Sequence, residues 1–376
     1  MKILIAPNAF KNSLDAVAAA EAICRGLEKS RLDCECMQQP IADGGDGMLT
    51  VMLSQEGGEM RKAKVHDPLG RPVEAEYGLL KGRKTAVIEM AEASGIRLLK
   101  TDELNPMKTS TFGTGQLIGA ALDAGAEEIV IGIGGSATVD LGLGMAQALG
   151  VQFLDENGNP VSWGGEGLTQ LRKIDMRGLD ERICETRIII TCDVTNTLLE
   201  APSVFGPQKG ADEAMVKLLE EQFERVGKLM ETSLNNEVIH VRHGGAAGGL
   251  GAALHAFLSA ELLDGTDYLL SRTGFHDTLA EATIVITAEG ALDMQTQSGK
   301  GPFYVANAAR KQGKGVFMLA GNIPRDYDPD KYDVYDVVLP IGPRPEALEE
   351  AMKNTAENLE RTALQIGNML VLKTKK

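Results

Sequence analysis

The stretch IVIGIGGSATVDLGLGM, Ile129–Met145, runs from an apolar segment into glycines interleaved with Ser136, Thr138 and Asp140. Two chemistries suit it. Read as Gly132-x-Gly134-x-x-Ala137, with Asp155 closing a later apolar run, it matches the strand-to-helix fingerprint of a dinucleotide site. Read as an anion loop, Gly134 and Gly135 present backbone N–H groups to phosphate oxygens at a helix N-terminus, and Ser136 and Thr138 add hydroxyl donors. The hydroxyls and the carboxylate favour the anion loop. A tight strand-to-helix connection with no ligand is the plainer alternative.

Other loops carry chemistry of the same kind. QQPIADGGDGML, residues 38–49, sets Asp43 and Asp46 in a glycine turn before an apolar helix. It reads equally as a metal- or hydroxyl-binding loop and as an acidic helix start. EGALDMQTQSGKGP, residues 289–302, places Glu289 and Asp293 after a strand and Lys300 before a helix. Carboxylates can hold Mg²⁺ and a lysine can neutralise phosphoryl oxygens, although a plain charged loop would look alike. It is no P-loop, because Gly301 stands where that motif needs a hydroxyl. RIIITCDVTN, residues 187–196, brings Asp193 and Asn196 to the carboxyl end of an apolar strand, where open α/β sheets keep their ligands. FGPQKGADE puts Lys209 just ahead of a helix, and HGGAAGGLGAALHAF, residues 243–257, reads as small residues that let backbones pack closely.

The elements that must position these loops alternate between short β-branched runs and helical patterns, as parallel α/β proteins do. KILIAP (2–7) and CECMQQP (34–40) are expected strands, with a helix over 13–30 capped by Ser13 between them. TIVITAEG (283–290), GVFMLAGN (315–322) and DVVLPIG (336–342) continue the pattern, and the five strands suit one doubly wound sheet. Residues 62–90 instead alternate with period 2 around DPLG and KGRK, which predicts an antiparallel meander. The expected organisation is a discontinuous domain, 1–65 and 285–376, interrupted by an inserted mixed α/β domain, 66–284.

Composition narrows the partners. The 376 residues carry a net charge of −15, which repels phosphodiester backbones and anionic lipid, and only the terminal KTKK is a basic cluster. Nucleic acid and membrane are therefore excluded as expected partners, and small molecules favoured. No signal peptide or spanning segment is read, and five cysteines without a C-x-x-C pair suit reduced thiols, so the expected location is cytoplasmic.

Taken in order, APNAFKNSL (6–14), ADGGDG (42–47), TSTFGTGQLI (109–118), GIGGSATVDLGLGM (132–145), CDVTN (192–196), FGPQKGA (205–211), GAAGGLG (245–251) and EGALDMQTQSGKGP (289–302) resemble the bacterial glycerate kinase family. The resemblance spans nearly the whole chain. It implies a two-domain α/β fold, with a flavodoxin-like parallel-sheet domain interrupted by a second mixed domain. It also implies an ATP-dependent phosphorylation of D-glycerate with Mg²⁺, 2-phosphoglycerate being favoured over 3-phosphoglycerate. On this reading Asp193 is the base or substrate-hydroxyl partner, and Lys11 and Lys300 contact phosphate or carboxylate. Gly134, Gly135, Ser136, Thr138, Asn196 and Lys209 bind substrate or nucleotide, and Asp43, Asp46, Glu289 and Asp293 bind metal or hydroxyl groups. Departures from the family pattern stand at Asn8, Ala9, Val139, Leu141 and Thr197. Self-association into a homo-oligomer is left open, and the rival reading is an NAD-dependent oxidoreductase of a small hydroxy acid.

Overall fold

The computed structural model describes the chain except residues 43, 83, 293–300 and 375–376. The expected site residues Asp43, Asp293 and Lys300 thus lie outside the described residues. In chain order the strands begin with β1 (Lys2–Ile5), β2 (Glu35–Gln38), β3 (Gly58–His66), β4 (Pro72–Leu80), β5 (Thr85–Glu89) and β6 (Glu128–Gly132). They continue with β7 (Gln152–Leu154), β8 (Lys173–Asp175), β9 (Arg187–Cys192), β10 (Glu261–Asp264), β11 (Ile284–Ala291), β12 (Gly315–Asn322) and β13 (Val337–Pro340).

One compact unit comprises Met1–Asp43, Thr50–Gln55 and Thr266–Lys376. Its five strands form a parallel sheet in the order β2-β1-β11-β12-β13. Counted within the unit this is 2-1-3-4-5, the flavodoxin-like order. Both faces are covered, which is why its strands are apolar at successive positions. Leu4, Val285, Val316 and Met318 face a core shared with Phe275, Leu279, Val305 and Ala309. Their neighbours Ile3, Ile5, Ile286 and Leu319 face the opposite core with Ala20, Ile23, Leu27, Leu359 and Ile366. The helix after β1 starts at Ala16, two residues later than a Ser13 cap would place it. Asp15 is the cap, its carboxylate accepting Ala18 N–H at 2.8 Å, because the Ser13 hydroxyl is taken by Met352 O and Thr355 Oγ1, each at 2.7 Å.

The second unit comprises Gly44–Leu49 and Glu56–Gly265. Its mixed sheet runs β10-β9-β6-β5-β4-β3, with the first four strands parallel and β4 antiparallel to both neighbours. The meander is present, and its last strand, β5, turns to join the parallel part. β7 and β8 form a separate antiparallel pair. Parallel strands put their carboxyl ends on one edge, so Glu89, Gly132, Cys192 and Asp264 end their strands along a common line. Among the described residues no helix is long and apolar enough to cross a membrane.

Candidate active site

The glycine loop leaves β6 at Gly132, and what approaches it is the chain itself. A Cβ on Gly134 would stand 2.8 Å from the Gly45 Cα. One on Gly135, whose φ is +70°, would stand 3.5 Å from both Asp46 carboxylate oxygens. The expected helix N-terminus is not at this turn: the helix following β6 is Leu143–Ala148. Its first amides are already taken, since Gly142 N and Gly144 N donate to the Asp140 carboxylate at 3.1 and 3.3 Å. Thr111 adds its N–H at 2.8 Å and its hydroxyl at 2.9 Å. Asp140 is fully buried; burial pushes its carboxyl up in pKa, and these four donors oppose the shift. The acceptor at the helix start is thus an internal one.

The same loop meets Lys209. This residue ends the turn Pro207–Lys209 and is buried, with Nζ donating to Ser136 Oγ at 2.6 Å and to Thr138 O at 2.8 Å. Burial lowers its ammonium to a pKa of about 7 against the raising field of Asp140. Ser136 is half-buried, and Thr138 is fully buried with its hydroxyl unpartnered among the described residues. Gly248 belongs to the small-residue run, and a Cβ there would fall 2.1 Å from Thr138 O, so that run does pack backbone against this loop.

The loop Gly44–Leu49 is held from β5. Glu89 Oε1 accepts Gly47 N at 3.0 Å and Leu49 N at 2.8 Å. Burial raises the Glu89 carboxyl to about 7; the Leu49 amide opposes this, Asp46 adds to it, and Arg97 opposes it. Arg97 donates to Asp46 Oδ1 at 2.9 Å and also to Glu92. Asp46, expected as a metal or hydroxyl ligand, is therefore a charge-paired carboxylate beside Gly135.

At the ends of β9 and β10, Asp193 is half-buried, and a Cβ on Gly265 would stand 3.2 Å from its Oδ1. Asn196 turns its amide to Glu200 Oε1 at 3.1 Å. His243, 3% exposed, makes a 2.7 Å hydrogen bond between Nδ1 and Val194 O, and its Nε2 lies 3.8 Å from Asp264 Oδ1. These contacts fix the backbone that carries Asp193. Two of the departures, Val139 and Leu141, are fully buried rather than exposed to a ligand.

In the first unit, the loop after β1 runs beside the end of β11, at the switch point where the strand order reverses. A Cβ on Gly290 would lie 3.7 Å from Lys11 N. The Lys11 side chain is exposed and Glu289 is buried. Among the described residues no group of three or more His, Cys, Asp or Glu side chains is arranged to hold a metal. Sequence reasoning missed Glu89 and Arg97. Glu89 closes the apolar run TAVIE, the same signal that singled out Asp193.

The model of the glycerate kinase family matches residues 3–371. A glycerate kinase of Halalkalibacterium halodurans is 45% identical over 97% of this chain and 97% of its own length. A glycerate 2-kinase of Escherichia coli is 41% identical over 99% of this chain and 98% of its own. A crystal structure assigned as glycerate kinase 2 from Salmonella typhimurium LT2 superposes with a TM-score of 0.89 at 41% identity, covering 100% of both chains. The fold and these relatives define an α/β phosphotransferase. The chain belongs to the glycerate kinase family. The dinucleotide reading is set aside with it: Gly134–Ala137 do not open a helix, and Asp155 caps its own turn by accepting Asn157 N and Asn159 N, each at 2.8 Å.

Proposed function

We propose that this chain transfers the γ-phosphoryl group of ATP to the 2-hydroxyl of D-glycerate. The observation that carries the reading is the full-length likeness to glycerate kinases, among them a glycerate 2-kinase at 41% identity. Phosphoryl transfer asks a protein for positioning and charge neutralisation more than for covalent chemistry. Asp193 is our choice for the group that accepts the substrate hydroxyl proton. Its position at a strand's carboxyl end, on backbone tied down by His243, supports that choice. Lys11 and, outside the described residues, Lys300 are proposed phosphate contacts, with Gly134, Gly135, Ser136 and Asn196 bordering the substrate. Thr138 and Lys209, both buried, support Ser136 from behind.

Mg²⁺ binds through one or two carboxylates together with substrate phosphates and keeps several waters. Asp46, with a side chain 42% exposed, fits such a role, and Asp43, Glu289 and Asp293 are the further oxygen donors proposed. When bound, the ion would supply charge neutralisation on the phosphate oxygens. We place the enzyme in the cytoplasm, with small-molecule substrates as its partners and neither nucleic acid nor membrane. Its division into domains near residues 65 and 285 belongs to the same reading. The test is ³¹P NMR of a reaction holding ATP, Mg²⁺ and D-glycerate: the product resonance should match authentic 2-phosphoglycerate. A resonance matching 3-phosphoglycerate would reassign the acceptor hydroxyl.

A further inference from the structure

A lysine sealed inside a protein is costly, and Lys209 is 2% exposed. Its Nζ gives one hydrogen to Thr138 O at 2.8 Å, stands 6.0 Å from the Phe205 ring centroid, and gives another to Ser136 Oγ at 2.6 Å. An ammonium has three hydrogens to place, and one of these goes to a side chain rather than to backbone. Here the ammonium also occupies a lone pair of a half-buried hydroxyl next to the exposed Gly135. Among the described residues no acceptor takes the proton of Ser136 itself.

We propose that Lys209 is a positioning residue acting through Ser136: the buried ammonium holds Ser136 Oγ as an acceptor, so that the hydroxyl proton is free and polarised to donate to an anionic oxygen of a bound substrate. Hydrogen bonds in a chain polarise one another, and a charged first donor strengthens the second. The lysine thereby lends positive charge to the ligand without touching it. The anionic oxygen belongs either to the carboxylate of the acid or to a phosphate of the nucleotide. The proposal rests on the glycerate kinase reading only for the identity of those two ligands.

Calorimetric titrations of D-glycerate, ATP and inorganic phosphate into the unaltered protein, Ser136→Ala, Lys209→Met and the double variant test it. One ligand should bind about 10- to 100-fold more weakly to Ser136→Ala. Lys209→Met should lose as much, and the double variant no more than either, because the lysine works only through the serine. Weakening of D-glycerate assigns the carboxylate, and weakening of ATP the phosphate. Ser136→Ala binding all three ligands as the unaltered protein does, or losses that multiply in the double variant, would overturn it. If Lys209→Met does not fold, ¹⁵N-lysine NMR replaces it. The Lys209 resonance should move on ligand addition and stay still in Ser136→Ala; an equal shift in both would be contrary. If the unaltered protein binds neither D-glycerate nor ATP, the kinase reading fails on its own. The proposal then stands on phosphate binding that falls in both variants, and falls with phosphate binding that is absent or unaltered.

Discussion

Gly134 and Gly45 meet backbone to backbone: a Cβ added to Gly134 would stand 2.8 Å from the Gly45 Cα. Two glycine loops that look like separate ligand cradles are in fact each other's packing partners. Gly134→Ala must push the loops apart and should cost about 1–3 kcal/mol. Gly135→Ala meets only ordinary contacts but sits at φ +70°, which should cost about 1–2 kcal/mol through backbone strain. Urea unfolding of both variants measures this, and a Gly134→Ala protein as stable as the unaltered one would contradict the contact.

Asp140→Ala removes the acceptor of four hydrogen bonds inside the core, leaving Thr111 N and Oγ1, Gly142 N and Gly144 N to find others. The expected loss is at least about 3 kcal/mol, since each buried donor left unmade costs roughly 1–3 kcal/mol. Asp155→Ala, in a surface turn, should cost far less. Equal losses would show that Asp140 does not organise the loop.

Much of the first unit was legible. KILI, TIVIT and GVFML are apolar at successive positions because both faces of a parallel sheet are covered. The glycine loop was legible as a place of close approach, not in what approaches it. Spacing along one chain does not show that Gly45, from a loop far away in sequence, packs against Gly134. Nor does it show that Asp140, two residues beyond Thr138, takes the helix amides. Glu89 carried the same strand-end signal as Asp193, but the loop that it holds, Gly47 to Leu49, lies far away in sequence.

Leu141 holds φ +50°, in the left-handed region that favours glycine, yet it is fully buried. Leu141→Gly would relieve about 1–2 kcal/mol of backbone strain and forfeit roughly 2–5 kcal/mol of core packing. Packing wins, so the variant should be less stable. A higher melting temperature in calorimetry would mean that the strain outweighs the burial.

Glu89 links stability to pH. Burial raises its carboxyl to about 7, above an unfolded value of about 4.3. The folded state therefore holds the proton more tightly. The stability this contributes is complete below about pH 4.3, declines as pH rises toward 7, and is absent above. Glu89→Gln keeps an oxygen to accept Gly47 N and Leu49 N while removing the charge. Its melting temperature should gain on the unaltered protein between pH 5 and pH 8. A constant difference across that range would show that Glu89 is ionised throughout.

Asp193→Asn should lower kcat by about 10²-fold or more, the scale of general-base assistance, while leaving the melting temperature nearly unaltered. A variant keeping more than about half of kcat would remove Asp193 from the chemistry.

Everything in the functional account depends on phosphoryl transfer to D-glycerate, and following ADP release from ATP, with and without D-glycerate, measures it directly. The account predicts ADP formed only when D-glycerate and Mg²⁺ are both present, in amounts equal to the phosphoglycerate produced. ADP release that ignores D-glycerate, or none at all with both present, would contradict it.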